Sequence, residues 1–317
     1  MPKPRVLFMG TPQFAVPALR GLVKHGYQVI GAVTQPDRPQ GRGRATAPSP
    51  VKVLADELGL TVFQPERVGH PTFLDVFRGL APDLVIVAAF GQILPREILF
   101  APKQGCINIH PSLLPKYRGA APINWALIRG EEKTGVSIMR MDEGVDSGPV
   151  LLQEETQIGP EENYGTLHDR LAAMGAELIL IALAMLQAGT LQAKPQDDGL
   201  ATMAPRLHRE DGRIRWEKDH RSIVSLIRGL SPDPCAYTTL DGKQLKIFIA
   251  SAQSAPITEP PGTVTGETAA GLRVADGSGF VFLRELQLEG KKRLEIRDFL
   301  RGLRIPPGKI LGEAKQT

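Results

Sequence analysis

An amide and an imidazole, Asn108 and His110, stand two residues apart in the apolar run CINIH, residues 106–110. Side chains alternate between the faces of a strand, so Cys106, Asn108 and His110 share one face and Ile107 and Ile109 the other. A buried polar group without a partner costs about 1–3 kcal/mol, so these two side chains need partners. They are either a hydrogen-bonded core pair or a reaction centre at the carboxyl end of a strand. A third polar group is available in MDEGVDSGPV, residues 141–150, a turn-rich loop carrying Asp142, Glu143 and Asp146. An amide, an imidazole and a carboxylate together suit transfer of an acyl group onto an amine. The imidazole and carboxylate manage protons, and N–H groups of the amide and imidazole stabilise a tetrahedral oxyanion. The alternative for an Asp in a Gly-rich turn is that it caps its own loop.

The elements that must position these groups follow from hydrophobic periodicity. Apolar runs RVLFMG, YQVIGAVT, LTVFQP, DLVIVAA and CINIH read as strands, and TPQFAVPALRGLVKHG, SPVKVLADELG and HPTFLDVFRGLAP read as intervening helices. Ser49 is placed as an N-cap with Pro50 at the first helical position. AAPINWALIRGE continues as a helix, TGVSIMRM and PVLLQEE as strands, and YGTLHDRLAAMGAELILIALAMLQAG as one long helix. Strands alternating with helices predict an α/β fold, a Rossmann-like, doubly wound parallel sheet. Residues 190–209 have little period and read as a linker. After the helix HRSIVSLIRGL, the hairpin YTTLDGKQLKIFIASA turns at Asp241-Gly242, and short strands split by glycines follow. That pattern predicts a small antiparallel β-barrel of the OB-like kind. The expected domains are therefore 1–189, a linker at 190–209, and 210–317.

In open parallel sheets, ligands bind beyond the carboxyl ends of the strands, where Gly10, Phe90-Gly91 and His110 fall. The first turn, GTPQFA, lacks the G-x-G-x-x-G fingerprint, and neither G-x-x-x-x-G-K-[ST] nor G-x-S-x-G occurs, which argues against dinucleotide cofactors, nucleotide hydrolysis and a serine nucleophile. Six scattered histidines show no metal-ligand spacing, so no metal is expected. Two cysteines make no disulfide framework. The greasy run LILIALAML is far shorter than a bilayer span and reads as a buried helix, so no membrane association is expected and the expected compartment is cytoplasmic. Residues 1–189 carry 18 Lys+Arg and 18 Asp+Glu, and the remainder 20 and 16, so the whole net charge of +4 lies in the second part. That is a weak pointer to a polyanionic partner there.

The segments NIHPSLLPKYRGAAPINWAL and MDEGVDSGPV resemble the folate-dependent formyltransferases. The resemblance implies that Asn108, His110 and Asp146 form the catalytic set. It implies that Ser112, Leu113, Leu114 and Pro115 are a folate-binding signature, and that AAFGQILP, with Phe90, Gly91, Ile93 and Leu94, lines the pterin pocket. The implied co-substrate is 10-formyltetrahydrofolate as formyl donor. The opening VLFMGTPQFAVPAL and the loop TQPDRPQGRGRATAPSPVK are similar to the branch of the family that acts on initiator methionyl-tRNA, and a monomer is expected. Pro111 departs from members that carry Gly after the histidine and stiffens the turn.

The loop QPDRPQGRGR holds Arg38, Arg42 and Arg44 among Gly and Pro and has no apolar periodicity, so it is expected as a long exposed loop rather than an element. Arginine forks suit phosphates and stack on bases. The family reading sends this loop to the acceptor end of the tRNA. In EGKKRLEIRDFLRGLR, Lys291, Lys292 and Arg293 begin a second basic stretch, and positions 293, 297, 301 and 304 fall at helical spacing as one basic face. The alternatives to transfer onto tRNA are a sugar-nucleotide N-formyltransferase with the same donor, a formyltetrahydrofolate hydrolase, and a non-catalytic RNA- or folate-binding protein.

Overall fold

A computed structural model describes residues 3–40 and 45–312. The chain divides into two compact units. The first comprises residues 1–120, 133–156 and 168–204. The second comprises residues 121–132, 157–167 and 205–317.

The first unit is built on a seven-stranded sheet. Strands β1 (Arg5–Gly10) and β2 (Gln28–Val33) are joined through helix α1 (Val16–Lys24). A short ribbon of β3 (Arg38–Gln40) and β4 (Ala45–Ala47) precedes helix α2 (Pro50–Glu57) and β5 (Val62–Phe63). Helix α3 (Pro71–Leu80), β6 (Leu84–Ala88), helix α4 (Arg96–Leu99) and β7 (Cys106–His110) follow. After β8 (Arg118–Gly119) and helix α5 (Pro122–Ile128), β9 (Lys133–Arg140) and β10 (Val150–Gln157) complete the sheet in the order β10-β9-β7-β6-β1-β2-β5. The strands from β5 to β7 run parallel, as expected, while β9 runs antiparallel to β7, so the sheet is mixed at that side. The chain between β7 and β9, residues 111–132 with β8 and α5, brings β9 back beside β7 in the opposite direction.

Local chemistry accounts for the element ends. Ser49 Oγ accepts from Lys52 N at 3.1 Å, with Pro50 at the first helical position, so α2 starts where the sequence places it. The flanks of the arginine-rich loop depart from expectation. Residues 38–40 pair antiparallel with residues 45–47, because a two-stranded ribbon is held by its own ladder and needs no apolar face. Arg42 and Arg44 lie outside the described residues.

Helix α6 (Tyr164–Ala188) is 25 residues long and apolar enough, by length and composition, to cross a membrane. In the first unit it instead buries Leu171, Ala172, Ala176, Ile179, Ala182 and Leu183. Gly175 is what lets it approach β7: a Cβ there would lie 2.7 Å from Ile109 Cγ2. Ile109 is 2% exposed, and its truncation to Ala would cost about 2–5 kcal/mol. The face of β7 that carries Ile107 and Ile109 is thus closed by packing, which leaves the Asn108 and His110 face for polar partners.

Residues 190–204 are more than a linker. Lys194 bridges Val150 through two backbone hydrogen bonds of 2.8 Å, and β11 (Met203–Ala204) pairs in parallel with β8.

The second unit packs α5 and helix α7 (His220–Leu230) with a six-stranded antiparallel sheet. Its strands are β12 (Ala236–Leu240), β13 (Lys243–Ser254), β14 (Val264–Thr268), β15 (Gly271–Ala275), β16 (Gly279–Leu288) and β17 (Leu294–Glu295). The β12–β13 hairpin turns at Asp241 and Gly242, both with positive φ (51° and 73°), as an Asp-Gly hairpin requires. The core gathers Trp216, Ile223, Ile227, Leu245, Ile247, Leu283 and Leu286. Helix α8 (Ile296–Gly302) adds Ile296 and Phe299 to this core, and the segment after it adds Ile305 and Leu311.

Candidate active site

Strand β7 ends with Asn108 and His110 pointing away from α6, and both are nearly buried (9% and 3% exposed). The loop between β9 and β10 returns Asp146 to them. Asn108 Nδ2 lies 3.4 Å from Asp146 Oδ1, and His110 Nδ1 lies 3.6 Å from Asp146 Oδ2. Gly119 N–H donates to Asp146 Oδ2 at 2.8 Å. The three groups singled out from the sequence are therefore brought together around one carboxylate.

The turn that delivers Asp146 is built from its neighbours. Asp142 Oδ1 accepts from Gly144 N (3.0 Å) and Ser147 Oγ (2.9 Å), so Asp142 is the loop-capping residue and Asp146 is left to face the site. Glu143 pairs outward with Arg96 at 2.5 Å. Gly148 is fixed by close approach, since a Cβ there would sit 2.0 Å from Arg140 O. Asp146 itself adopts φ 49°, a left-handed conformation uncommon for a residue with a Cβ.

His110 has a defined polarity. Its Nε2 lies 3.0 Å from Tyr117 O, and a carbonyl oxygen only accepts, so Nε2 carries the hydrogen of that bond. In the neutral ring, Nδ1 then presents a lone pair toward Asp146 Oδ2. A proton placed between those two atoms turns the 3.6 Å separation into a charge-assisted hydrogen bond on a small closure. The expectation that a His110 N–H faces an oxyanion is not met in this arrangement, because Tyr117 O occupies it. Asn108 Nδ2 is the remaining neutral donor of the set.

The folate-signature residues divide by burial. Ser112 is fully buried and structural: its Oγ donates to Lys116 O (2.7 Å), and its carbonyl accepts from Ser137 Oγ (2.6 Å). Leu114 is buried, and its N–H donates to Ser137 Oγ at 3.1 Å. Gln153 adds bonds of 2.8 Å to Leu114 O and to Ser137 Oγ. Leu113 and Pro115 are half-buried. Phe90 and Leu94 lie in the apolar core with Met9, Val87 and Ile98, and Phe90 O accepts from Thr11 Oγ1 at 2.9 Å. Ile93, by contrast, is 91% exposed, and Gly91 holds φ 85° beside it. Beside these two a cleft of about 670 Å³ opens, lined also by Gln35, Arg38, Arg67 and His70.

The base of the basic loop is tied down. Asp37 accepts from Lys52 Nζ (2.6 Å) and Gln64 Nε2 (2.7 Å), and these bonds, the Lys52 one foremost, hold its carboxyl below the usual carboxylate range. Arg38, exposed, contacts Gln35 Oε1 at 3.4 Å.

The second basic stretch is not one helical face. Helix α8 begins at Ile296, so Arg293 precedes it and Arg304 follows its end. Arg293 forms two bonds to Glu285 (2.6 and 2.5 Å) and lies 4.1 Å from the Phe248 ring centroid. Arg301 pairs with Asp298 at 2.8 Å. Lys291 and Lys292 are exposed at the turn after β16.

Neither cysteine offers a nucleophile. Burial pushes the thiols of Cys106 and Cys235 up to about 12. Among the described residues, no group of three or more His, Cys, Asp or Glu side chains is placed to hold a metal ion.

Sequence reasoning missed Tyr117, Ser137, Gln153 and Gln196, which support the site through hydrogen bonds to its backbone and side chains. None of these leaves a periodic trace in sequence.

The profile described as "Formyl transferase" matches residues 4–183, and that described as "Formyl transferase, C-terminal domain" matches residues 206–304. Methionyl-tRNA formyltransferase of Syntrophus aciditrophicus is 52% identical over 98% of this chain and 100% of its own length. The protein of the same name from Geotalea uraniireducens is 51% identical over 98% of each. Among solved structures, methionyl-tRNA formyltransferase from Clostridium thermocellum superposes with a TM-score of 0.54 at 18% identity, over 78% of this chain and 93% of that one. HypX from Aquifex aeolicus, in complex with tetrahydrofolic acid, gives 0.62 at 19% identity, over 94% of this chain and 47% of that one. With both of its regions matched and half its residues shared with such relatives, the chain belongs to the formyltransferase family.

Proposed function

We propose that the protein transfers the formyl group of 10-formyltetrahydrofolate to the methionyl amino group of initiator tRNA. Relatives that share about half of its residues along their whole length carry that activity in their names. The observation that carries the chemistry is the convergence of Asn108, His110 and Asp146 at the carboxyl end of β7.

The neutral methionyl amine attacks the formyl carbon, and a tetrahedral oxyanion forms. Asn108 Nδ2 is the oxyanion donor, worth ~10²–10³ in rate for such a group. The ammonium proton of the adduct passes to the His110–Asp146 pair, which has a place for one proton between Nδ1 and Oδ2. The pair returns it to the folate nitrogen as the bond from that nitrogen to the formyl carbon breaks. One C–N bond forms, one breaks, and one proton moves from amine to leaving nitrogen. Tyr117 O holds the ring so that Nδ1, not Nε2, faces the carboxylate. Gly119 N–H keeps Oδ2 on that side. Ile93, Leu113 and Pro115 provide apolar contact for the donor. Arg38, Arg42, Arg44, Lys291, Lys292 and Arg293 contact tRNA, with Arg293 doing so from a fixed position.

The test is a formyl-transfer assay with purified protein and formyl donor in three parallel reactions. These contain methionyl-initiator tRNA, an amino-sugar nucleotide, or buffer alone. Formylmethionyl-tRNA in the first reaction only is expected. Product in the second reaction would make the acceptor a sugar nucleotide. Formate release in the third at the same rate as transfer would make the protein a hydrolase.

A further inference from the structure

The segment 194–204 carries no periodic signal, yet one of its side chains grips the turn that holds Asp146. Gln196 Nε2 donates to Asp146 O at 2.8 Å and to Gly148 O at 2.7 Å. Its Oε1 accepts from Arg118 Nε (3.1 Å) and Arg118 Nη2 (2.8 Å). Both N–H groups and the carbonyl of one amide are thus used, the full capacity of a glutamine side chain. Arg118 is itself buried and also donates to Asp198 Oδ1 at 2.8 Å. The same segment fixes the opposite wall. Tyr117 N–H donates to Thr202 Oγ1 (2.9 Å), Arg118 N–H donates to Thr202 O (2.9 Å), and Ala204 pairs with Gly119. Tyr117 O and Gly119 N–H are the groups that hold His110 and Asp146.

We propose that Gln196 is a positioning residue: its amide locks the left-handed Asp146 turn against Arg118 and so sets the separation between Asp146 and His110. This rests on the proposed transfer reaction and adds to it a residue outside the catalytic set. The physical reason is geometric. Asp146 holds φ 49°, uncommon for a residue with a Cβ, and two donors on carbonyls 146 and 148 fix the 146–147 and 148–149 peptide planes that flank the Ser147-Gly148 step. Misplacement of a reacting group by about 1 Å can cost ~10²-fold in rate.

The test uses Gln196→Glu and Gln196→Ala in the full chain. Glu keeps the shape and the acceptors for Arg118 but has no hydrogen to give the two carbonyls. The wild-type assay with methionyl-initiator tRNA runs first, and its failure would overturn the proposed function rather than this inference. With active wild type, we expect kcat of Gln196→Glu to fall ~10²-fold, with KM for tRNA and for the formyl donor within about twofold of wild type. The pH profile of kcat should also shift, because a displaced carboxylate no longer shares a proton with His110. Thermal unfolding of Gln196→Glu serves as the folding control. Wild-type kcat and an unmoved pH profile in a folded Gln196→Glu protein would overturn the proposal. So would a fall in kcat with an unchanged pH profile that tracks only the loss of folded protein in both variants.

Discussion

Gly119 N–H and His110 Nδ1 address the same carboxylate oxygen, Oδ2 of Asp146, at 2.8 and 3.6 Å. The shorter contact comes from a group that never titrates. Asp146 is therefore held in place whether or not a proton lies between it and His110. The histidine, pinned on its far side by Tyr117 O, has one open direction for proton exchange.

Asp146→Asn preserves the shape and the bond from Gly119 and removes the proton acceptor. We expect kcat to fall by ~10²–10⁴, the range for loss of a positioned acid–base group, with the unfolding temperature within a few degrees of wild type. Single-turnover rates and thermal melts decide it, and wild-type turnover would exclude the carboxylate from proton transfer.

Asn108→Asp places a second carboxylate about where Nδ2 now lies, 3.4 Å from Asp146 Oδ1. Loss of the donor and repulsion between like charges act together, so turnover should drop by at least ~10²–10³ while the fold is retained. Near-normal kcat would remove Asn108 from the mechanism.

Arg42 lies outside the described residues, between strands β3 and β4, whose base is tied down through Asp37. Arg42→Ala should raise KM for tRNA ~10-fold and leave KM for the formyl donor unchanged. The difference from wild type should shrink between low and high salt as phosphate contacts are screened. Initial rates across a salt series are the measurement, and an unchanged KM for tRNA would mean the loop is idle.

Asp219 caps α7 by accepting from Ser222 Oγ (2.6 Å) and Ser222 N (3.0 Å), and these bonds, the hydroxyl's foremost, hold its carboxyl below the usual range. Because the native value is lowered, the cap's contribution is complete above the unfolded-chain value near 4 and is lost as pH falls through the native one. Asp219→Ala should cost about 1 kcal/mol at neutral pH. Urea midpoints of variant and wild type should converge below about pH 4.

The sequence made most of this legible where a regular period was at work. The alternation in CINIH put Asn108 and His110 on one face, and α6 does cover the other through Ile109. Ser49 and Pro50 marked a helix start that the bond to Lys52 N bears out. The turn formers of residues 141–150 pointed to a carboxylate, and the cap made by Asp142 singles out Asp146. What escaped has no period. Gln196 acts through four bonds from an irregular segment. The basic face expected from residue 293 to 304 dissolved because α8 starts only at Ile296, and Arg293 is drawn to Glu285 and Phe248 instead. The antiparallel entry of β9 escaped too, since an apolar strand reads alike in either direction.

Helix α5 begins three residues after Gly119, yet its packing partner is α7, about a hundred residues downstream. Asn124 Nδ2 donates to Gly229 O at 2.8 Å, and Trp125 Nε1 donates to Pro205 O at 2.8 Å. The two halves of this protein are consequently not interchangeable cassettes. A fragment cut at residue 204 would keep every catalytic candidate but strand α5 with an orphaned Asn124 amide and a bare apolar flank. Recombination between relatives would have to carry residues 121–132 together with the distal part of the gene product, even though the two stretches are far apart along the chain.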